Sequence, residues 1–324
     1  MHHGDISQET AKGLKVLRAR IRKAKIPPSK LDETLNVATW NIREFGRVPR
    51  KEASLHYVAE IIGQFDLVCL VELRDDLNDL AQVMKYLGPY WSVVYSDYNE
   101  DRGGNRERLA FVYDTRAATF TGLASNIHAP RKKAKSKDYV AMPNWWRQPY
   151  IGSFRAGNFD FAMLTAHIRW GKNGKAGEKE RLPEIKLVAD WVARRVKKST
   201  TGEKDIIVAG DFNIPSTKSV LYKAITAKRL KVPKALLGDP GSNLERDKRY
   251  DQILHLESFT KAFSDKGGVL DFFDGDHTPL APKGMSKDKW TYELSDHLPL
   301  WVQLNTDNDA EQLDQILNPK KAAP

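Results

Sequence analysis

Short, almost wholly apolar runs punctuate this chain, and each of them ends on a polar residue. LNVATW leads to Asn41, DLVCLV to Glu72, FAMLTA to His167, and IIVAG to Asp211, with Asn213 two residues on. A strand with one wet face alternates polar and apolar residues, so runs this short and this uniformly apolar read as strands buried on both faces. They are also far below the ~18 apolar residues a membrane-spanning helix needs. Such a chain must fold around sheets that are covered on both sides.

Between these runs the apolar spacing switches to helical. Leu55, Val58, Ala59 and Ile62 repeat at that period until Gly63, and Leu77, Leu80, Met84 and Leu87 until Gly88. Leu182, Ile185, Ala189, Val192 and Val196 predict a helix over 182–197. Strands are expected at 35–42, 66–73, 91–95, 109–114, 148–154, 159–168, 205–210, 250–255 and 298–304. Several of them follow one another with no helix between, which favours an α/β fold with a pair of mixed sheets over one doubly wound parallel sheet. One body over 35–304 is expected, with a basic extension at 1–34 and a polar tail at 305–324. In the extension, Leu14, Leu17 and Ile21 fall at helical spacing before Pro27-Pro28 stops the helix.

Charge is uneven. The net charge is +10, and residues 1–30 carry eight Lys/Arg against only Asp5 and Glu9, while 131–137 add five with no acid. Two basic patches on a near-neutral body suit a protein that meets a polyanion while keeping carboxylates for a cation. The first patch is expected to add nonspecific affinity for nucleic acid. Cys69 is the only cysteine, so neither an intrachain disulfide nor a thiolate zinc cluster can form, which fits a reducing compartment. The N-terminus has no apolar signal-peptide stretch.

Polar groups at strand ends are where α/β scaffolds display chemistry. Any single Asp after a strand is most often a turn residue or a cap. The full set of Asn41, Glu72, His167, Asp211, Asn213, Asp251, Asp296 and His297 is much harder to reach by chance. Two imidazoles with several carboxylates can move protons and neutralise charge on a phosphorus centre.

The blocks LNVATWNIREFG, DLVCLVELRD, RERLAFVYD, RQPYIGSF, AHIRWG, VAGDFN, YDQIL and LSDHLPLWVQL come in this order over roughly 35–304. In this the chain resembles the deoxyribonuclease I-like members of the endonuclease/exonuclease/phosphatase superfamily. The resemblance implies a four-layer α/β/β/α sandwich of two mixed β-sheets with the site on loops at one edge. It also implies that Asn41, Glu72 and Asp296 are ligands or close orienters of a divalent cation. Oxygen ligands select Mg²⁺, Mn²⁺ or Ca²⁺ over zinc. By the same resemblance His167 pairs with Glu107 and His297 with Asp251, Asp211 and Asn213 hold the attacking water and a phosphate oxygen, and Arg43, Arg74 and Arg147 touch DNA.

The implied activity is Mg²⁺-dependent hydrolysis of DNA phosphodiesters with little sequence preference, leaving 5′-phosphate ends. Duplex DNA is the favoured partner, single strands or RNA the other candidates, and the chain is expected to act as a monomer without a membrane. Abasic-site endonucleases and phosphoinositide or sphingomyelin phosphohydrolases are the rivals on the same scaffold, and their substrate motifs are absent. A silent nucleic-acid-binding module is the reading from another class, and the filled catalytic positions count against it. Two features depart from the secreted enzymes: Asn105 replaces a groove-stacking aromatic, and no disulfide can form. The segment 126–144, with Trp145-Trp146 beside it, is atypical and could track a backbone and stack bases.

Overall fold

A computed structural model describes residues 3–99, 106–133, 139–140, 144–197, 205–238, 240–256 and 261–307, with Asp309, Leu313 and Leu317 beyond. Asn105, part of the 126–144 segment and most of the 305–324 tail lie outside the described residues.

In chain order the elements are α1 (Gln8–Lys23), β1 (Thr34–Phe45), α2 (Glu52–Ile62), β2 (Leu67–Leu73), α3 (Asn78–Leu87), β3 (Trp91–Tyr95), β4 (Arg108–Asp114), β5 (Thr119–Asn126), β6 (Lys132–Lys133) and β7 (Tyr139–Val140). There follow β8 (Tyr150–Ala156), β9 (Phe159–His167), α4 (Gly174–Arg195), β10 (Ile206–Asp211), α5 (Val220–Ile225), β11 (Leu230–Lys231), β12 (Asp251–Leu256), β13 (Phe263–Val269), α6 (Lys287–Trp290) and β14 (Leu300–Asn305).

Two six-stranded sheets carry the fold, ordered β13-β14-β1-β2-β4-β3 and β11-β12-β10-β9-β8-β5. Each has one parallel pair, β1 with β2 and β9 with β10, among antiparallel neighbours. A parallel pair needs a crossover, and the helices α2 and α4 supply it, which puts a helical layer outside each sheet. The result is the four-layer sandwich of two mixed sheets expected from the sequence.

The wholly apolar runs meet between the sheets. Phe111 of β4 stacks on Tyr150 of β8 at 5.4 Å between ring centres and meets Phe154 edge-on at 5.4 Å. Burying aromatic rings of this size dominates a core, at roughly 1.5–3 kcal/mol per fully buried large apolar side chain. Gly210, at φ +142°, precedes Asp211 where β10 closes on β9; a methyl there would run into the Ala166 carbonyl oxygen. Only glycine allows that approach.

Several elements differ from the sequence reading, among them α4, β5 and β13 and the short α5, α6, β6, β7 and β11. Helix α4 begins at Gly174, eight residues earlier than expected, and carries Pro183 in its interior. The proline reads as a helix start in sequence, but buried Gly177 and Arg181 continue the packed face ahead of it. Strands β5 and β13 carry no apolar run because they are edge strands with largely exposed or half-exposed residues.

The basic segment ahead of the body is docked on it. Ser7 caps α1 by accepting from Thr10 N at 3.1 Å, and Leu14, Leu17 and Ile21 are buried against the body. Arg18 makes a bidentate pair with Glu60 of α2 at 2.7 and 3.0 Å, Arg20 donates to the Phe272 carbonyl at 2.9 Å, and Lys23 pairs with Asp274 at 2.6 Å. Part of the basic surplus is therefore matched within the chain. Because Leu17 is fully buried, Leu17→Ala is expected to cost about 2–5 kcal/mol, as for other leucines removed from a core. A thermal melt checks this, and an unchanged midpoint would show that α1 is not part of the cooperative fold.

Candidate active site

Strand register builds the centre of the site. Parallel pairing sets His167 of β9 opposite Asp211 of β10, and antiparallel pairing sets Asp211 opposite Asp251 of β12. On the facing sheet Asn41 of β1 lies opposite Val71, one residue before Glu72 of β2. Asn41 bridges the sheets, since its Nδ2 donates to Glu72 Oε1 at 2.8 Å and to Asp211 Oδ2 at 3.0 Å. Five chemistry-bearing strands are thus drawn to one edge of the sandwich.

The backbone bends sharply there. Arg43, Glu44, Glu72 and Asn213 all have positive φ, between +40° and +66°, where non-glycine residues are uncommon. Each bend is held by a local bond: Arg43 N donates to Asn41 Oδ1 at 2.9 Å, Glu44 N to Glu72 Oε2 at 2.8 Å, and Asn213 N to Asp211 Oδ1 at 2.8 Å. Asn213 is fixed in turn by donating to the Ile168 carbonyl at 2.7 Å. Strain concentrated at one edge is a common mark of a functional site.

Two histidine–carboxylate pairs flank Asp211. His167 Nδ1 bonds Glu107 Oε2 at 2.6 Å, and His297 Nδ1 bonds Asp251 Oδ2 at 2.7 Å. The opposite nitrogens both face Asp211 Oδ2, His167 Nε2 at 3.7 Å and His297 Nε2 at 3.8 Å. Burial disfavours the imidazolium of His297, but Asp251 and Asp211 outweigh it and hold the pKa well above the ordinary value. For His167, burial and Arg147 also work against the charge, and Glu107 and Glu72 raise the pKa on balance. Each carboxylate orients its ring and favours the doubly protonated form.

The twelve residues singled out in the sequence divide by position. Asn41, Glu72, Glu107, His167, Asp211, Asn213, Asp251 and His297 form the connected cluster. Asp296 sits at its rim with a side chain 42% exposed, 3.3 Å from Arg43 Nη1. Arg43 also donates to Thr291 and lies over the Tyr292 ring at 4.0 Å. Arg74 and Arg147 are buried and turned to Glu107, with Arg147 Nε 2.9 Å and Arg74 Nη1 3.7 Å from its oxygens. Both guanidiniums keep a buried Nη1 without a hydrogen-bond acceptor.

Three further residues, Ser295, Ser242 and Arg50, position the site from outside that set. Ser295 Oγ donates to the Asn41 carbonyl at 2.6 Å and accepts from His297 N at 2.9 Å, which ties the His297 loop to β1. Ser242 does the same for Asp251, accepting from Asp251 N at 3.0 Å. Arg50 donates to the carbonyls of Ile42 at 2.5 Å, Arg43 at 2.7 Å and Leu294 at 2.7 Å, joining the end of β1 to the Asp296 loop. Burial pulls the Arg50 pKa down to about 9. A serine two residues before a backbone N–H is a turn signal, and Ser295 in LSDHLP could have been found by it.

The donor set offers two places to a divalent cation. Burial raises the Glu72 pKa, as do nearby Glu107 and Asp296, so the carboxylate sits among like charges that a cation would relieve. Glu72 and Asp296 offer the hard oxygens that Mg²⁺, Mn²⁺ or Ca²⁺ prefer, while Asn41, with both amide ends engaged, acts as an orienter. Asp211, Asp251 and His297 also place ligand atoms within 4.8 Å of one another. There, however, His297 is held as the imidazolium by Asp251 and has no lone pair to give.

The edge of this two-sheet sandwich, with its carboxylates, two imidazoles and a buried Asp, carries the kinds of group that phosphate-ester hydrolysis needs. The chain belongs to the Endonuclease/Exonuclease/phosphatase family, whose profile matches residues 38–297; family members are hydrolases of phosphodiesters or phosphate esters and typically use divalent metals. It is similar to the human endonuclease/exonuclease/phosphatase family domain-containing protein 1, at 22% identity over 306 residues and 88% of this chain. The chain spans about half the length of that relative, 51%. Among solved structures it is similar to the human Nocturnin catalytic domain with bound sulfate, with TM-score 0.55 and 15% identity over 86% of this chain and 96% of that one. A mannosyl-6-phosphatase from Bacteroides thetaiotaomicron gives TM-score 0.53 and 21% identity over 83% of this chain and 99% of that one. At these identities the structures share the fold.

Proposed function

We propose that this chain is a divalent-metal-dependent endonuclease that hydrolyses DNA phosphodiesters with little sequence preference and leaves 5′-phosphate ends. The observation that carries this reading is the convergence of two histidine–carboxylate pairs on a single Asp211 oxygen, at 3.7 and 3.8 Å. Diester hydrolysis must take a proton from water, neutralise charge on the phosphoryl oxygens and protonate an alkoxide leaving group, and a two-sided arrangement supplies all three.

Asp211, held at Oδ1 by Asn213 N and at Oδ2 by Asn41 Nδ2, accepts the proton of the attacking water. The His297 imidazolium, oriented by Asp251, donates to a non-bridging phosphate oxygen. His167, oriented by Glu107, stands on the other side of Asp211 and returns a proton to the leaving oxygen. A cation held by Glu72 and Asp296, Mg²⁺ by preference and Mn²⁺ or Ca²⁺ by the same oxygen chemistry, would neutralise developing negative charge at phosphorus. In-line attack inverts phosphorus and leaves the phosphate on the 5′ side.

Partly exposed Arg43, held at the rim by Thr291 and Tyr292, is placed to meet a backbone phosphate. Arg74 and Arg147 are buried behind Glu107 and reach a phosphate only if they turn from it, so their first role is to pair with Glu107 beside His167.

A substrate panel tests the assignment: supercoiled plasmid, linear duplex, single-stranded DNA, RNA, an abasic-site duplex, bis-p-nitrophenyl phosphate and a sugar phosphate, each with Mg²⁺ or with chelator. Nicking of plasmid with Mg²⁺ and none in chelator is expected. Higher turnover of the sugar phosphate than of any diester would overturn the nuclease reading, and a strong preference for the abasic duplex would replace it with a repair activity.

A further inference from the structure

A strip of stacked aromatic and guanidinium groups leads away from the catalytic histidine. The Tyr250 ring lies 5.7 Å from that of His297, and Trp170 meets Tyr250 edge-on at 5.3 Å. Arg169, next in the chain, lies over Trp146 at 4.0 Å. Trp146 and Trp170 are among the few large apolar side chains left exposed, at 36% and 38%.

Trp170 is fixed rather than merely exposed. Its indole N–H donates to Asn173 Oδ1 at 2.9 Å, and the guanidinium of buried Arg181 covers the ring, with Cζ 4.6 Å from its centre, while donating to the Trp170 carbonyl. Arg181 Nε remains buried without a hydrogen-bond acceptor. The Trp146 backbone is fixed too, since its amide N–H donates to Glu184 Oε2 at 3.1 Å and the neighbouring Trp145 Nε1 donates to the Glu184 carbonyl at 3.0 Å, while Arg169 lies over one face of the Trp146 ring. An indole immobilised with open surface to solvent gives contact area at little entropic cost to a ligand that covers it.

We propose that Trp170, with Trp146 beyond it, is a stacking platform for unpaired nucleobases of a strand whose phosphate lies at Asp211 and His297. This rests on the nuclease reading and specifies its substrate as single-stranded or locally unpaired nucleic acid, a departure from the duplex preference expected from the sequence. The charge along the same stretch favours a polyanion: Arg169, Lys172, Lys175, Lys179 and Arg181 are met only by Glu178 and Glu180 between 169 and 181. A small sugar phosphate would use one such charge, whereas a strand uses a row of them, and aromatic groups interleaved with cations are how single strands are held without sequence reading.

The test measures binding in chelator, so that it is separate from cleavage. A fluorescein-labelled dT10 and a decamer of abasic residues with the same phosphates are titrated against wild type, Trp170→Ala and Trp170→Phe, with thermal melts to show that each is folded. Wild type should bind dT10 about tenfold more tightly than the abasic strand; Trp170→Ala should lose that preference while binding the abasic strand as before, and Trp170→Phe should regain part of it. Equal wild-type affinity for the two strands, or a preference that survives Trp170→Ala, would overturn the proposal. Failure of the nuclease reading would show separately, as absence of diester cleavage in the substrate panel with base-dependent binding intact.

Discussion

His297→Ala is expected to lower turnover of DNA by about 10²–10⁴, the range for a positioned acid–base group, and to leave the Kd for DNA within a few-fold. The imidazole touches Asp251 on one side and faces Asp211 on the other, so its loss removes a proton donor and also leaves the Asp251 carboxylate buried without its cation. That second effect is structural, and Asp251→Asn separates the two. The asparagine keeps the bond geometry but no longer favours the charged ring, so activity should be lost at lower pH than in wild type.

The sign of the pH effect follows from the raised His297 pKa. The imidazolium is fully present below its ordinary value of about 6.5 and is lost only as pH rises through the raised one. Wild-type activity should therefore persist through neutrality and fall on the alkaline side, and the pair's contribution to stability should fall over the same window. A pH–rate profile in which Asp251→Asn and wild type lose activity at the same alkaline pH would remove the Asp251–His297 pair from the mechanism.

Sequence patterning revealed the parts of this fold that are buried on both sides. The runs before Asn41, Glu72, His167 and Asp211 have few other ways to satisfy their apolar residues, and β1, β2, β9 and β10 lie where those runs do. Edge strands β5 and β13 escaped because an exposed edge places no periodic demand on its side chains. The start of α4 escaped because Pro183 looks like a helix beginning and the packing of Arg181 ahead of it is a tertiary fact. Leu14, Leu17 and Ile21 announced a helix, but what they bury against is settled by Glu60, Phe272 and Asp274 far along the chain.

Within the site, residue types were legible and pairings were not, except through family resemblance. His167 and Glu107 are sixty positions apart, and only the register of β9 with β10 and the approach of β4 bring them to 2.6 Å. The same limit explains why Arg74 and Arg147 read as contacts to DNA. Nothing local in VELRDD or WWRQPY records that Glu107 lies within 4 Å of both. Ser242 and Arg50 act through the backbone of other segments, and a contact to a distant carbonyl or N–H leaves no trace in composition.

Glu72→Gln is expected to abolish most DNA cleavage, by at least about 10²-fold, while leaving the metal-free fold close to wild type in stability. Two N–H donors meet the Glu72 carboxylate, from Asn41 and from the backbone of Glu44. A Gln oxygen can accept only one of those bonds, at a cost of about 1 kcal/mol. Against that, burial above all, with Glu107 and Asp296 beside it, raises the Glu72 pKa over the opposing pull of His167, so its charge is unfavourable without a cation and the neutral amide removes that cost. The two effects oppose each other, so the metal-free melting midpoints should differ by no more than about 1–2 °C, the shift that 1 kcal/mol gives in a chain of this size. Added Mg²⁺ should separate the proteins. Binding to the folded state alone stabilises wild type by about 2.7 kcal/mol at a hundredfold excess over Kd, and Glu72→Gln should show little of that rise. An equal Mg²⁺-dependent rise in both proteins would place the cation elsewhere, and Asp211 with Asp251 would become the set to examine, whatever the variant did to cleavage.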